Sequence, residues 1–391
     1  MAKLKYWIWL SAVEDLSPRG LTSLLKKFEN PENIYFADPG QYEGLKGITP
    51  HMIQNLSDKS MRRTEKIISE CERTNITWLT LQDADYPERL RQMPDPPATL
   101  YVRGKLPPVD ELCAVAVVGT RKASPYGLKM AAKIGGEITR GGGLVVSGLA
   151  SGVDSTAMEA ALRAGGETIG VVGTAIDQVY PSKNKELFAR VAQSGAVVGE
   201  YPPGYHTWPE NFRIRNRIIS ALSVATLVVE ADERSGALIT ARHALEQNRD
   251  VYAVPCNADA LGGSGVNRLI SEGAGVATCG EDILRAYENR FVLKSNNCNS
   301  NTTDWPDIHI KKEKVIDKPL DMHYIDFRAR LESLPETQRA VALAITRPDM
   351  PADDIIVASG LSAATVLSNL TMLQISGIVK TDKAKKFSLN I

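Results

Sequence analysis

The sequence predicts an α/β protein built on a doubly wound parallel sheet. Between Cys113 and Ala286, short runs of Val, Ile, Ala and Leu alternate with segments of helical pattern. The runs are AVAVVG, LVVSG, TIGVVG, AVVGE, VATLVVE and VYAVP, and they lack the polar–apolar alternation of half-exposed strands. Strands buried on both faces have this composition, and strand–helix alternation is typical of parallel sheets covered by helices. A Rossmann-like sheet is therefore expected.

The first predicted domain, residues 1–73, is all helical. Its apolar residues recur at three- and four-residue spacing, as at Leu21, Leu24, Leu25 and Phe28. In LKGITPHMIQNL, Gly47 lies between two helical stretches, which indicates a helix-turn-helix. The domain is expected to be of the helix-hairpin-helix/SAM-like kind. Such a turn can present backbone amides to a phosphate, although a tight turn without a ligand is the more common use.

Three further segments follow. Residues 74–290 contain the predicted sheet, and they begin with strand-like ITWLTL and a lead-in whose four prolines exclude long helices. Residues 291–325 are polar and Asn-rich and predict a linker. Residues 326–391 show two helical segments, a third opened by a possible N-cap at Ser362, and two short β-like pieces. This order predicts a C-terminal winged-helix domain.

Charge and cysteine content exclude several classes of protein. Lys plus Arg and Asp plus Glu each number 46, so no overall positive field attracts nucleic acid, and any such site must be a local patch. The five cysteines are scattered without a CxxC pair, which predicts reduced thiols and no metal site. No signal peptide is evident, and no apolar run approaches the ~20 residues of a membrane span. A cytoplasmic protein without membrane contact is expected.

Three glycine-containing turns follow predicted strands and precede helices. In doubly wound sheets, ligands bind beyond the carboxyl ends of the strands, where a helix N-terminus offers free N–H groups to phosphate. The turns contain Gly119, Thr120 and Arg121, then SGLASGVDSTA at 147–157, and then Ser235 and Gly236. In the second turn, Asp154 is expected to cap the helix and hold the loop. The alternative is that these are tight turns without a ligand. The sequence contains neither GxGxxG nor GxxxxGK[ST], which argues against a dinucleotide or ATP cofactor.

The stretch from Asn211 to Ser220 is the most informative for function. It contains Arg213, Arg215 and Arg217, and the arginines are preceded by the aromatic residues Tyr205, Trp208 and Phe212. Single-strand binders combine cations that pair with phosphates and rings on which bases stack, each stacked base being worth ~1–3 kcal/mol. Surface ion pairs of little energetic value are the alternative. In a neutral chain, a local cluster beside aromatic residues favours binding.

Several motifs resemble, in order, those of the DNA-processing protein A (DprA/Smf) family. They are VVGTR, VVSGLASGVDSTA, VVGTAIDQVYPSKN, GEYPPG, NFRIRNRIISALS, VVEADERSGALITARHALEQ, VYAVP and GVNRLISEGA. With the lead-in they cover about residues 76–285, and the N-terminal helical domain and the terminal winged helix also resemble the family. So many motifs in one order are far more specific than any one of them.

The resemblance implies a function and a set of binding residues. It implies a non-enzymatic protein that binds single-stranded DNA, protects incoming DNA during natural transformation, and loads the RecA recombinase onto it. It also implies a homodimer formed through the Rossmann-like domain. Carried onto this sequence, the DNA pocket comprises Gly119, Thr120, Arg121, Ser147, Gly148, Phe212, Arg213, Arg215, Asn216 and Arg217, with Ser235, Gly236 and Thr240 as weaker candidates.

The chain also departs from the family pattern. Ser151 stands where many members carry Arg, Met158 where many carry His, and Arg213-Ile214 where Pro followed by Arg is usual. Arg213 supplies the charge missing at Ile214, whereas nothing obvious replaces the one missing at Ser151. Binding needs no proton transfer, so Met158 is compatible with a binder. The third helical segment of the winged-helix domain lacks Arg and Lys, whereas helices that recognise duplex DNA in a groove are usually basic. Docking of a partner or regulation is therefore at least as reasonable a role for this domain as recognition of duplex DNA.

Two other classes of function remain as alternatives. A nucleotide-cleaving phosphoribohydrolase has a similar sheet, but its PGGxGTxxE signature is absent from EADERSGALITARHALE. Glu200 and Glu230 lack a partnered His, Cys or second carboxylate at a telling spacing, so no catalytic residue is predicted. A pure interaction scaffold is the second alternative. For the binder, reversal of Arg215 or Arg217 to Glu is expected to remove most binding and leave the fold intact.

Overall fold

The computed structural model describes residues 4–260, 262–294, 334–345, 350–376, 378–381 and 386–389. The chain divides into two compact units, Met1–Ser300 and Asn301–Ile391. Most of the predicted linker, from residue 295 onward, lies outside the described residues, as do residues 326–333 of the predicted winged-helix domain. The domain limits drawn from the sequence stay predictions.

Five helices begin the first unit. They are α1 (Leu4–Ser11), α2 (Pro18–Phe28), α3 (Pro31–Phe36), α4 (Pro50–Ser57) and α5 (Arg62–Thr74). Ser17, Asn30 and Thr49 cap α2, α3 and α4 by accepting a backbone hydrogen bond, and each is followed by a proline at the first helical position. The helices enclose a core of their own that includes Trp7 and Tyr42.

One nine-stranded sheet forms the centre of the first unit. Its strands are β1 (Ile76–Thr80), β2 (Thr99–Gly104), β3 (Ala114–Val118), β4 (Leu144–Ser147), β5 (Thr168–Val172), β6 (Ala196–Gly199), β7 (Ala225–Val228), β8 (Asp250–Ala253) and β9 (Gly275–Val276). Their spatial order is β1-β2-β6-β5-β4-β3-β7-β8-β9. The pairs from β6 to β9 are parallel, whereas β1–β2 and β2–β6 are antiparallel. The predicted α/β fold with a mostly parallel sheet is confirmed, and the lead-in extends the sheet by two strands.

Helices lie against both faces of this sheet. They are α6 (Glu88–Arg91), α7 (Pro125–Arg140), α8 (Val153–Arg163), α9 (Lys185–Ser194), α10 (Pro209–Ala221), α11 (Gly236–Glu246), α12 (Ser264–Ser271) and α13 (Glu281–Leu284). Successive residues of β3 alternate between two cores, with Val115 and Val117 in one and Ala116 and Val118 in the other. Burying a valine side chain contributes about 1.5–3 kcal/mol. Strand β3 is therefore buried on both faces, as its composition predicted.

The parallel pairing places the candidate loops at one edge of the sheet. The carboxyl ends of β3, β4, β5 and β7 lead into residues 119–124, 148–152, 173–184 and 229–235. Strand β3 lies between β4 and β7. The strands that follow it in sequence, β4 to β6, lie on one side of it, and β7 to β9 lie on the other side. In doubly wound sheets, the ligand crevice forms at such a reversal of strand order.

The described part of the second unit contains three helices and a three-stranded sheet. The helices are Glu336–Ala344, Ala352–Ser359 and Ala363–Ile375, and the strands are β10 (Met350–Pro351), β11 (Val379–Thr381) and β12 (Lys386–Leu389), in the order β10-β12-β11. Ser362 Oγ accepts a hydrogen bond from Thr365 N at 3.3 Å, which confirms the predicted N-cap. Among the described helices of the whole chain, none alone has the length and apolar composition of a membrane span. Helices Ala352–Ser359 and Ala363–Gln374 meet those criteria only as a pair, bent by 112°.

Candidate nucleic-acid interface

The turn after β3 is closed by Glu230, which lies in the loop after the neighbouring strand β7. Thr120 N donates to Glu230 O at 2.8 Å, and Ser124 Oγ donates to Glu230 Oε2 at 2.7 Å. Ser124 Oγ also accepts from Gly127 N at 3.1 Å and so caps α7. A Cβ at Gly127 would lie 1.9 Å from Glu230 Oε2, so only glycine admits this carboxylate. The Ser124 and Gly127 N–H groups at the start of α7 therefore already have internal partners.

Ser147 is the last residue of β4, and Gly148 is the first residue of the loop that follows. Ser147 is fully buried, and its Oγ donates to Val117 O at 2.6 Å. Gly148 is also buried, and its N–H donates to Asp154 Oδ2 at 3.1 Å. Asp154 thus holds the loop, as expected, but it does not cap α8, because the N-cap residue is Gly152 and no side-chain hydrogen bond caps this helix. Ser147 and Gly148 are therefore internal, with hydrogen bonds to Val117 and Asp154, and their assignment as DNA-contacting residues stays a prediction.

Arg215 is buried below the same loop, with 5% of its surface exposed. Its Nη1 donates to the carbonyl oxygens of Gly148, at 2.8 Å, and of Val171. Burial lowers the pKa of Arg215 to about 10, and the nearby Asp154 carboxylate acts in the opposite direction. Burial likewise raises the pKa of Asp154, which Arg215 opposes. Arg215 fixes the loop from inside and does not offer its guanidinium to a phosphate.

Arg217 is internal as well. Its Nη2 lies 2.8 and 2.7 Å from the two carboxylate oxygens of Glu200, and its surface is 7% exposed. Residues two apart on a helix point about 200° apart, so Arg213 and Arg215 cannot share a face. Arg217 lies one turn beyond Arg213, where it contacts Glu200 and Met93. Because both side chains are buried and have internal partners, the structure predicts that reversing Arg215 or Arg217 to Glu destabilises the fold, which differs from the expectation drawn from the sequence.

The loop after β4 adopts a conformation that must be held in place. Leu149 has a φ of +56°, which costs a non-glycine residue roughly 1–2 kcal/mol. The buried Asn184 Nδ2 donates to Leu149 O at 2.8 Å and to Ala150 O at 3.3 Å. Asn184 was not among the predicted site residues, although it ends the YPSKN segment. It joins the loop after β4 to the loop after β5.

An exposed cluster lies above these internal residues. The Arg121 guanidinium lies 5.7 Å from the centroid of the Phe212 ring, and the Tyr180 ring lies 5.1 Å from Phe212 on the same measure. Arg121 is exposed and Tyr180 is 50% exposed, whereas Phe212 is half-buried. We refer to Arg121, Tyr180 and Phe212 as the aromatic–cation cluster. Tyr180 was not among the site residues predicted from the sequence. Its position in the VYPSKN motif could have indicated it.

Further cations occur near the cluster in sequence. Lys122 follows Arg121, Arg213 follows Phe212, and Lys183 follows Tyr180 by three residues; all three side chains are exposed. In the part of the chain that the structure describes, no ion pair involves any of them. Their charges are available to a polyanion.

The third predicted turn is only partly accessible. Ser235 Oγ caps α11 by accepting from Ala237 N at 3.3 Å, and a Cβ at the exposed Gly236 would meet open space. Asn216 Nδ2 donates to Gly236 O at 3.2 Å, which links α10 to this turn. Thr240 is buried and offers no hydroxyl at the surface. The exposed residues before the turn are Asp232, Glu233 and Arg234, with a net negative charge, so phosphate is less favoured here than beside Arg121.

The geometry favours binding over acid–base chemistry. Glu200 and Glu230, the two carboxylates considered as general bases, are bonded to Arg217 and to Ser124. Among the described residues, no three His, Cys, Asp or Glu side chains are grouped to hold a metal ion. The aromatic–cation cluster has a cation for a phosphate and two rings for bases, which is the set that single-strand binding requires.

Comparison with known proteins agrees with the fold. The sequence model of the family described as DNA recombination-mediator protein A matches residues 77–288. Protein Smf of Synechocystis sp. is 30% identical over 402 residues, which cover 98% of each chain. The crystal structure of Streptococcus pneumoniae DNA processing protein A is 30% identical with a TM-score of 0.64, covering 75% of this chain and 99% of that one. The Helicobacter pylori protein of the same name, whose structure concerns its single-stranded DNA binding mode, is 28% identical with a TM-score of 0.50, covering 55% and 97%.

Proposed function

This chain belongs to the DNA recombination-mediator protein A family, and we propose that it binds single-stranded DNA through the aromatic–cation cluster. The observation that carries this proposal is the contact of one ring with both a cation and a second ring. The Arg121 guanidinium lies 5.7 Å from the Phe212 ring centroid, and the Tyr180 ring centroid lies 5.1 Å from it. The single-stranded DNA binding described for the Helicobacter pylori relative supports it.

The cluster selects an unpaired strand for a physical reason. The faces of unpaired bases are free to stack on Tyr180 and Phe212, whereas duplex bases are already stacked on each other. Arg121, Lys122, Lys183 and Arg213 then neutralise phosphates along the strand. Arg215, Asp154 and Asn184 act as positioning residues, because they hold the loop after β4 without touching the DNA.

We propose that the chain works in DNA processing during natural transformation, in the cytoplasm and without membrane contact. Relatives named DNA processing protein DprA from Bacillus subtilis and Streptococcus pneumoniae support this role, being 34% and 41% identical over 240 and 212 residues. The finer proposals are that the protein is a homodimer and that it loads RecA. Light scattering tests the dimer, and RecA ATPase activity on DNA already coated by a single-strand-binding protein tests loading.

The terminal domains complete the proposal. The helices before β1 are proposed as a helix-hairpin-helix/SAM-like domain. The three helices and antiparallel strands of the second unit support a winged helix. Exposed Leu367 and Met372 on its last helix favour partner docking over duplex reading.

The protein is proposed to be a binder and not an enzyme. The internal hydrogen bonds of Glu200 and Glu230 support this, since a general base must reach the proton that it removes. Incubation with nucleoside monophosphates, followed by chromatography for free base, distinguishes the two classes. We expect no free base above a protein-free control; turnover would support the phosphoribohydrolase alternative.

Fluorescence anisotropy tests the proposed binding. A labelled oligo(dT) and a duplex of the same length are titrated with the full chain at two salt concentrations. We expect tighter binding of the single strand and a slope of log affinity against log salt of about −0.7 for each phosphate contacted. Equal affinity for duplex, or no binding at low salt, would refute the proposal.

A further inference from the structure

A second group of cations lies at the opposite edge of the sheet from the aromatic–cation cluster. Arg89 on α6, Arg249 directly before β8 and Arg290 after α13 come together there, and we refer to them as the amino-edge arginines. Arg89 Nη2 donates to Leu112 O at 2.8 Å, two residues before β3, so this is the edge at which the parallel strands begin. Strand β3 has five residues of about 3.3 Å each, which separates the two edges by roughly 16 Å.

Aromatic rings connect the amino-edge arginines. The Arg89 and Arg290 guanidinium groups lie 5.3 and 5.5 Å from the centroid of the Phe291 ring. The Arg290 guanidinium also lies 5.9 Å from the Tyr287 ring centroid. The Tyr287 hydroxyl donates in turn to the carboxylate of Asp250, the first residue of β8. Arg290 is therefore held beside both Arg89 and the start of β8.

The amino-edge arginines carry more charge than the neighbouring carboxylates neutralise. Burial lowers the pKa of Arg89 to about 10, Asp110 opposes this decrease, and the charges of Arg249 and Arg290 add to it. Burial and the charge of Arg290 likewise lower the pKa of Arg249, with Asp110 again acting in the opposite direction. The Asp110 carboxylate also accepts two backbone N–H groups at the start of α6, at 2.7 and 3.0 Å. Including Asp250, two carboxylates stand against three guanidinium groups.

The fold leaves several donors of these guanidinium groups unused. Neither Arg249 nor Arg290 forms an ion pair with any residue that the structure describes. Arg89 is 8% exposed, and its Nη1 and the Nε of Arg249 are buried without a hydrogen-bond partner among those residues. Unsatisfied buried donors and like charges held together both destabilise a fold. A bound anion would offset both effects.

The chemistry of this group suits phosphate better than carboxylate. Guanidinium groups pair with phosphate through parallel N–H···O bonds, and a phosphate monoester offers three acceptor oxygens and up to two negative charges. A carboxylate offers two oxygens and one charge. Arg290 is exposed and Arg249 is half-buried, so a ligand reaches both from solvent.

We propose that the amino-edge arginines bind a phosphate group, either free inorganic phosphate or a backbone phosphate of a nucleic-acid strand. Arg249 and Arg290 donate to the phosphate oxygens, and the buried Arg89 adds positive charge beside them. None of the three residues belongs to the aromatic–cation cluster. Phosphate binding here therefore does not depend on the proposed DNA site.

Thermal unfolding of the full chain in sodium chloride and in sodium phosphate, at equal ionic strength, tests this proposal. A ligand that binds only the folded state raises the unfolding midpoint. Phosphate also stabilises proteins generally by exclusion from their surface, so the wild type is compared with Arg249→Gln/Arg290→Gln. We expect phosphate to raise the midpoint of the wild type by about 2–4 °C more than that of this variant.

A matched control removes two arginines from another surface. Arg19→Gln/Arg62→Gln changes exposed residues of α2 and α5, and its response to phosphate should equal that of the wild type. In chloride, Arg249→Gln/Arg290→Gln should unfold at the wild-type midpoint or above it, because repulsion is relieved and no described ion pair is lost. A purely structural role of these arginines predicts a lower midpoint in chloride.

Oligonucleotides of two lengths distinguish the two sources of phosphate. Anisotropy is measured with oligo(dT) of about 8 and about 40 nucleotides, since at roughly 3.4 Å per nucleotide the longer strand can pass around the sheet. Weaker binding of only the longer strand by Arg249→Gln/Arg290→Gln would identify a backbone phosphate as the ligand. Unchanged affinity for both strands, with the response to phosphate lost, would identify free phosphate.

Three results would overturn the proposal. They are an equal response to phosphate in the wild type and in Arg249→Gln/Arg290→Gln, a lower midpoint of this variant in chloride, and stabilisation of the wild type by a tetraglutamate peptide that equals stabilisation by phosphate. The last result would indicate an acidic protein segment as the ligand. The unfolding measurements contain no DNA, so a failure of the proposed single-strand binding would leave their outcome unaffected.

Discussion

Arg217 Nη2 bonds both carboxylate oxygens of Glu200, at 2.8 and 2.7 Å, inside the protein. Their side chains are 8% and 14% exposed, so neither charge is fully solvated. Arg217, one of the three arginines expected to pair with phosphates, thus joins α10 to the end of β6. Binding must be sought in the exposed residues around it.

Removing one partner of this ion pair should destabilise the fold. Arg217→Met leaves the Glu200 carboxylate buried without a cation, and breaking a buried pair costs about 3–5 kcal/mol. Urea unfolding should show this loss. The double variant Glu200→Leu/Arg217→Met should recover much of it, because both charges are then gone. Unchanged stability in Arg217→Met would contradict the structural role.

Arg121 should contribute a phosphate contact. Arg121→Gln is expected to weaken single-strand binding by about 1.5–3 kcal/mol, the value of a hydrogen bond to a charged group. The salt slope should become shallower by about 0.7. Arg140→Gln is the control, since Arg140 is equally exposed but lies at the last turn of α7, away from the loops. Equal effects of both variants would indicate a non-specific charge effect.

The two rings should contribute stacking. Tyr180→Leu and Phe212→Leu keep apolar side chains and remove the aromatic faces, so each should cost about 1–3 kcal/mol of single-strand affinity. Anisotropy at constant salt measures the change, and the salt slope should stay the same. Phe36→Leu, at a phenylalanine that is 69% exposed among the N-terminal helices, is the control. Normal single-strand binding by both cluster variants would mean that the DNA bases stack on other residues.

Lys59 should make stability depend on pH. Its Nζ lies 4.9, 5.4 and 5.3 Å from the ring centroids of Trp9, Tyr35 and Tyr42. Burial lowers the pKa of Lys59 from 10.5 to about 8. Between pH 8 and pH 10.5, Lys59 is protonated in the unfolded chain and largely neutral in the folded one, so the free energy of unfolding rises with pH. Below pH 8 the folded protein carries the full cost of burying the Lys59 charge.

The test compares the wild type with Lys59→Met. The free energy of unfolding of the wild type, relative to the variant, should increase from pH 8 to pH 10.5. The difference cancels other groups that titrate in the same range. Parallel pH profiles for the two proteins would mean that Lys59 titrates normally.

The sheet was predictable because its signal is local. Each buried strand is a run of Val, Ile, Ala and Leu, and β3 needs apolar residues at every position because Val115 and Ala116 face different cores. The caps at Ser17 and Ser362 are local in the same way, since each bonds an N–H three residues ahead. Such features depend on spacing along the chain alone.

The candidate site depends on contacts between distant residues. Tyr180 contacts Phe212, which lies 32 positions later in the sequence. Ser124 donates a hydrogen bond to Glu230, which lies 106 positions later. Nothing near Arg215 in the sequence indicates that Gly148, 67 positions away, accepts its hydrogen bond. The arginine cluster lies on the same helix as Phe212 of the proposed site, but the division into exposed Arg213 and buried Arg215 and Arg217 follows from tertiary packing.

Single-strand affinity of the double variant Arg121→Gln/Phe212→Leu tests the central claim most directly. The measurement is anisotropy with short oligo(dT) at fixed salt, with urea unfolding on the same preparation. We predict that affinity falls by about 2.5–6 kcal/mol, if the two effects add, while the unfolding midpoint stays close to that of the wild type. Wild-type affinity in a folded double variant would contradict the account.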